Sequence, residues 1–349
     1  SVFVVFSPFE PMPLKRDLNF LCLFILSFLI VVFQFVVKLV LLPFPRRINR
    51  KAQTLLQRVW VETSGALINP VKLVVSGDTP DPNEPAIIIC NHQVDADWWF
   101  MWCWAKNFGR HGHMKIMLKS ELKKVPILSQ GMQNFEFMFL NRKFEEDGPM
   151  MKKALGSFVE DKFPFWILLF PEGTTVHEEY LKKSHDFAKK QNRPVLNKTV
   201  LPRTTGFNTV LNEVPDNCKI YDVTCVYSKY TGDVPDWDDG YDRKRDKEIP
   251  NIAKLFGGFK TPPTYLHVKT STPAEIKKKG VQEWLDESWV MKDETLSHYA
   301  TTGKMPEKLH EGKVVEIVQS GSFMKMAVVL LIEGALSYGM YLGISALLL

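Results

Sequence analysis

A histidine and two carboxylates fall within one short stretch, Asn91-His92-Gln93-Val94-Asp95-Ala96-Asp97, directly after the apolar run at residues 86–90. Such a group can make a hydroxyl nucleophilic: the imidazole takes the proton while a carboxylate holds its other ring nitrogen, as in the base-and-orienter half of a serine-hydrolase triad. If residues 87–90 form a buried strand and Asp95 opens a helix, His92 lies in the connecting turn. Asp97 then sits in the first helical turn, where the helix dipole favours negative charge. Asp97 is expected to orient His92, with Asp95 either its rival or a helix cap. Gly156-Ser157 lacks the second glycine of a nucleophile elbow, so no partner serine is evident and the nucleophile is expected to belong to the substrate.

Two further segments place polar residues at the ends of apolar runs. Phe139-Leu140-Asn141-Arg142 follows one, and Pro171-Glu172-Gly173-Thr174-Thr175 follows the run at residues 165–170. With His92 and Asp97 they make the succession N-H-x4-D, F-x-x-R, P-E-G-T, which resembles the blocks of the glycerolipid acyltransferase family in order and spacing. Val200-Leu201-Pro202-Arg203-Thr204-Thr205-Gly206-Phe207 resembles a fourth block. It is similar to that of the lysophosphatidic acid, lysocardiolipin, lysophosphatidylglycerol and lysophosphatidylinositol acyltransferase branch. The resemblance spans residues 65–230 closely and the flanking apolar segments more loosely.

The resemblance implies acyl transfer from acyl-CoA to the free hydroxyl of a lysophospholipid, at the second glycerol carbon. The catalytic pair is His92 and Asp97, and acyl-CoA is a co-substrate, with no cofactor and no metal. Arg142 is the expected phosphate ligand, since its planar fork matches phosphate oxygens. Lys119 and Arg203 are further candidate cations. Glu172 is expected to accept from an acceptor hydroxyl or to hold Arg142, Gly173 to allow close backbone approach, and Thr174 to donate its hydroxyl. Thr175 stands where the family often has arginine, which shifts weight to Arg203. Two other readings stand beside this one: a CoA-independent transacylase resembling the tafazzin group, and a noncatalytic membrane lipid-binding protein that keeps the fold.

The net charge of +5 over 349 residues suits an anionic membrane surface, and its interspersed acids and absent motifs give no nucleic-acid partner. Five scattered cysteines without a C-x-x-C pair suggest neither a disulfide framework nor a zinc site, and point to a reducing compartment. His111 and His113 form an H-x-H pair without a convincing third ligand. His177 and His185 read as loop histidines. Residues 18–42 are almost wholly apolar and long enough to cross a hydrocarbon core of about 30 Å. Arg46, Arg47, Arg50 and Lys51 follow them, which predicts a lumenal N-terminus and a cytosolic catalytic part, in the endoplasmic reticulum. A second apolar run at 326–349, interrupted by Glu333, reads as another membrane helix.

Between these runs, strands are expected at 71–75, 86–90, 135–140, 165–170, 220–227 and 265–268, and helices at 95–107, 147–161 and 181–191. The pattern predicts an α/β domain, a mixed sheet flanked by helices, with hydrophobic membrane helices at both ends. The expected divisions are an anchor and linker at 1–60, the acyltransferase domain at 61–230, its extension at 231–322 and a membrane segment at 323–349. The aromatic stretch Trp98-Trp99-Phe100-Met101-Trp102 is expected either to pack in the core or to line an acyl groove. The polar stretch 230–247 is expected to be an exposed loop.

Overall fold

A computed structural model describes residues 14–236, 243–309 and 314–321. The apolar run at 326–349 lies outside the described residues. In chain order the elements are α1 (Leu14–Val40), α2 (Arg46–Ser64), β1 (Val71–Gly77), β2 (Ala86–Cys90), α3 (Asp97–Asn107), β3 (Met114–Lys119), α4 (Leu128–Asn134), β4 (Met138–Leu140) and α5 (Phe144–Glu160). There follow β5 (Trp166–Leu169), α6 (Glu178–Lys190), α7 (Thr204–Glu213), β6 (Lys219–Tyr227), α8 (Ile252–Phe256), β7 (Thr264–Ser271), α9 (Pro273–Lys279), α10 (Val281–Thr302) and β8 (Val315–Gln319).

The strands form one mixed sheet in the order β4-β3-β5-β2-β6-β7-β1-β8. β4, β3, β5, β2 and β6 run parallel to one another. The direction reverses between β6 and β7, which pair antiparallel from Ile220↔Ser271 to Tyr227↔Thr264. The expected α/β class with a mixed sheet is therefore observed. The sheet is also continuous across residue 230, because β7 and β8 from the later part of the chain flank β1.

β2 explains why a run of five apolar residues can be a strand: every residue of it is buried, as in a central strand covered on both faces. Ile88 and Cys90 join Phe100, Trp102 and Trp104 of α3 in one core. Ile87 and Ile89 face the other way, toward Phe158 of α5, Phe207 of α7 and Trp289 of α10. The α3 aromatics thus settle as packing, with Trp104 against Trp166 and Tyr221 and Trp60 of α2 against Trp102.

α1 is the one helix among the described residues that is long and apolar enough to cross a membrane. It is also docked on the domain along most of its length. Asn19 donates to the Leu67 and Phe256 carbonyls at 3.1 and 2.7 Å, Ser27 accepts from Trp60 at 3.0 Å, and Gln34 and Lys38 bond Asn134 at 3.0 and 2.5 Å. From Asn19 to Lys38 these contacts extend over about 28 Å of helix. The opposite stripe, Leu18, Leu21, Ile25, Phe28, Phe35 and Leu39, is exposed.

Several local expectations are corrected. Only Met138–Leu140 of the expected strand at 135–140 is extended, because Phe135 and Phe137 still bond back to Gly131 and Met132 and Glu136 turns the chain at φ 61°. α3 opens at Asp97, two residues late. α5 opens three residues early, its acidic first turn Glu145-Glu146-Asp147 complementing the helix dipole. His185 is not a loop residue but lies within α6, while His177 stands in the loop before it and caps that helix. The stretch 230–247 is not simply exposed, since Tyr230, Asp233, Arg243 and Asp246 are buried.

Candidate active site

Adjacent parallel strands carry the site at their carboxyl ends, the edge where open α/β sheets bind ligands. β3 ends at Lys119, β4 leads to Arg142, β5 to residues 170–174, β2 to Asn91-His92, and β6 ends at Tyr227. Side chains far apart in sequence meet because each occupies the same station on a neighbouring strand.

His92 Nδ1 lies 2.8 Å from Asp97 Oδ2. Asp97 is fully buried, and its carboxylate also accepts from the Gln93 and Val94 N–H groups at 2.6 and 3.0 Å and from the Tyr227 hydroxyl. A carboxylate accepts only, so Nδ1 carries the proton and the lone pair is on Nε2. The ring stacks on Phe170, centroids 4.1 Å apart and planes 16° from parallel. Burial holds the Tyr227 phenol well above its ordinary range, and the nearby Asp97 charge acts the same way, so Tyr227 is a donor here. Asp95 is not a partner of His92 and does not cap α3. Its carboxylate accepts from the Ile252 N–H at 3.1 Å, and burial pushes it up to about 7.

The turn that carries His92 is tied at nearly every backbone group. Asn91 exchanges two hydrogen bonds with the Cys225 backbone, at 2.8 and 2.9 Å. The His92 N–H donates to Glu172 at 2.9 Å and its carbonyl accepts from Val176 at 2.9 Å. Glu172 is completely buried and accepts also from Val200 N–H at 2.9 Å and Trp289 Nε1 at 3.1 Å. Glu172 does not hold Arg142; its carboxyl group instead accepts from three protein N–H donors. It clamps the His92 turn to the segment before Arg203 and to α10. Burial pushes it up to about 8 against the opposing pull of those donors.

The second half of the site is cationic. Arg142, at φ 63° in the left-handed region, donates to the Gly173 carbonyl. Gly173 has φ 72°, a conformation that favours glycine, and the Arg203 guanidinium lies alongside, 3.4 Å from where a Cβ would stand, an ordinary contact distance. Gly173 therefore gathers both arginines, one on its carbonyl and one against its Cα. Partial burial and, second, the Arg142 charge lower the pKa of Lys119 and of Arg203. Among the described residues no carboxylate lies within ion-pair distance of Lys119, Arg142 or Arg203; the nearby Glu146 is engaged by Lys143 and Asn141 instead. Thr174 is buried beside them.

Sequence reasoning named the dyad and the cations but missed their supports: Asn91, Phe170, Tyr227, Trp289 and Arg243. Only Asn91, itself the first residue of the N-H-x4-D block, and Phe170, directly before P-E-G-T, carried a local signal, though not of these roles. His111 approaches Glu62 at 3.4 Å and His113 stacks on Phe163, and among the described residues no group of three or more metal-ligating side chains converges.

A partly buried histidine held by a buried carboxylate thus stands at the same sheet edge as cations that have no carboxylate partner among the described residues. The matching family model is "Acyltransferase", over residues 72–228. These residues form a domain of the acyltransferase family. A probable 1-acyl-sn-glycerol-3-phosphate acyltransferase 5 of Arabidopsis thaliana is 28% identical, over 82% of this chain and 75% of its own length. Lysocardiolipin acyltransferase 1 of Danio rerio is 31% identical over 68% of this chain and 58% of its own. Lysophosphatidylinositol acyltransferase 10 of Caenorhabditis elegans is 31% identical over 66% and 56%. The 1-acyl-sn-glycerophosphate (LPA) acyltransferase of Thermotoga maritima superposes with a TM-score of 0.48 at 14% identity, over 81% of this chain and 98% of that one.

Proposed function

We propose that the chain is an acyl-CoA-dependent lysophospholipid O-acyltransferase acting by general-base catalysis. One observation carries the reading: a single turn, residues 170–174, stacks Phe170 on His92 and presents Gly173 to Arg142 and Arg203, so proton acceptor and cations serve one bound substrate. An acceptor held by its phosphate among Lys119, Arg142 and Arg203 brings its free hydroxyl to His92 Nε2. As the hydroxyl oxygen attacks the thioester carbonyl its proton passes to Nε2, and Asp97 stabilises the imidazolium. The carbon–sulfur bond then breaks with little acid help, because a thiol has a pKa near about 8.5. No protein nucleophile is required, so acceptor and donor are bound together.

The relatives' names support a glycerolipid acceptor with a phosphate and a free hydroxyl. The exposed apolar stripe of α1 supports membrane association, with the stripe toward lipid and the docked face toward the domain. A cytosolic face of the endoplasmic reticulum fits an enzyme that draws on soluble acyl-CoA. The test is to incubate purified protein with labelled oleoyl-CoA and a panel of lysophospholipids and to identify products by mass. A diacyl product that requires acyl-CoA is expected. Product formed equally well from a phospholipid donor without CoA establishes the transacylase instead.

A further inference from the structure

We propose that Arg243 is a positioning residue for the catalytic pair, acting through the peptide that joins Gln93 to Val94. This rests on the reading of His92 and Asp97 as the working dyad. Arg243 belongs to the polar stretch expected from sequence to be solvated, yet it is 2% exposed. Its Nη2 donates to the Gln93 carbonyl at 2.8 Å, and its Nη1 to the Asp233 carbonyl at 2.6 Å. The same peptide unit presents the Val94 N–H to Asp97 Oδ2 at 3.0 Å. The order is thus guanidinium, Gln93 carbonyl, Val94 N–H, Asp97, His92. A charge-assisted bond at the carbonyl polarises the amide and strengthens its N–H as a donor, and it fixes the plane in which that N–H points.

The stretch is built to hold Arg243 there. Asp246 accepts from the Thr231 N–H at 2.8 Å and the Asp233 N–H at 3.2 Å, and Asp233 accepts from the Arg245 N–H at 2.8 Å. These bonds close the base of the excursion, while Asp246 at 3.8 Å and the Tyr230 ring at 5.6 Å compensate the buried guanidinium. From the other side Gln93 Nε2 donates to the Lys198 carbonyl at 2.9 Å, and Lys198 Nζ reaches the Gly232 carbonyl at 3.0 Å. An excursion 150 residues along the chain is therefore part of the catalytic turn's support. Arginine suits the position because its planar fork serves two carbonyls at once, which a lysine ammonium does less well.

The test compares the detergent-solubilised full chain as wild type, R243M and R243K. It uses kcat and KM for both substrates and the proton resonance of the His92 Nδ1–H, assigned by its absence in H92A. In R243M kcat is expected to fall by about 10- to 100-fold while either KM changes by less than about twofold, since misplacing a catalytic group by about 1 Å costs that much. The resonance is expected to move. R243K, keeping the charge but not the planar fork, is expected to recover part of kcat and to shift the resonance back toward wild type. Wild-type kcat and resonance in R243M, or a fall in kcat with both KM values rising and the resonance in place, overturn the proposal. If R243M does not fold, R243K decides: an unchanged kcat and resonance there overturn it. A wild-type protein that esterifies no acceptor defeats the acyl-transfer reading, and the resonance comparison still decides the role of Arg243.

Discussion

The His92 turn and the cation site lie at the carboxyl ends of one run of parallel strands and are built on opposite rules. Around His92 the protein supplies its own partners: Asp97 takes two N–H groups, a phenol and the imidazole, and Glu172 takes three N–H groups. Around Lys119, Arg142 and Arg203 no carboxylate among the described residues lies within ion-pair distance, and the Arg142 charge acts against those of Lys119 and Arg203. Fixed geometry costs little when every buried polar group has a partner, whereas cations without counter-charge keep their donors for a ligand. The difference separates positioning from binding, and it can be broken from either side.

The largest effect is expected at His92. His92→Ala should lower kcat by about 10²- to 10⁴-fold, the range for a positioned base, with the thermal midpoint little changed because the ring's polar contact is to Asp97 alone. Asp97→Asn should cost a similar factor and also reduce stability, since the amide fails to serve all four of its donors. Steady-state kinetics and thermal melts on the two variants check both halves.

On the binding side, Arg142→Lys keeps a charge and loses the fork. The KM for a phosphate-bearing acceptor should rise by about tenfold while that for acyl-CoA holds, as expected when one substrate loses a bidentate contact. Equal rises for both substrates would erase the distinction between the two regions. Gly173→Ala tests their hinge. Its positive φ predicts a loss of about 1–2 kcal/mol in unfolding free energy, together with weaker acceptor binding as the turn that meets Arg142 and Arg203 shifts.

A pH dependence is expected at Asp95. Burial raises this carboxyl to about 7 in the folded chain, against about 3.9 when unfolded. Between those values the folded chain holds a proton the unfolded chain has released, so the stabilising contribution is complete below about 4 and is lost as pH rises through 7. Asp95→Asn keeps an acceptor for the Ile252 N–H and does not titrate. Its thermal midpoint relative to wild type should therefore rise from pH 5 to pH 8, and a constant difference would show that Asp95 does not titrate there.

Legibility in the sequence followed the polarity of buried faces. The fold class, β2, β5 and β6 were readable because continuous apolar runs end at polar blocks, and α3 because its aromatics follow one. α2 and α10 were not found, and both bury polar side chains: Arg50, Gln53, Thr54 and Gln57 in the first, Ser288, Lys292, Asp293 and Thr295 in the second. Buried polar residues interrupt the apolar pattern by which a helix is read. Lys115, buried and donating to the Phe135 carbonyl at 2.8 Å, hid β3 in the same way. The candidate dyad and cations were legible as motifs. The N–H partners of Glu172 were not legible, because they come from His92, Val200 and Trp289, and pairings at that separation leave no local trace.

The most direct measurement is equilibrium binding of a lysophospholipid to the full chain with His92→Ala, and to the same chain with Arg142→Ala added. The account predicts that His92→Ala protein binds the acceptor as tightly as wild type without turning it over, and that adding Arg142→Ala weakens binding by about tenfold or more, the scale of a lost charge-assisted contact. Acceptor binding that fails with His92→Ala alone, or that survives Arg142→Ala undiminished, would contradict it.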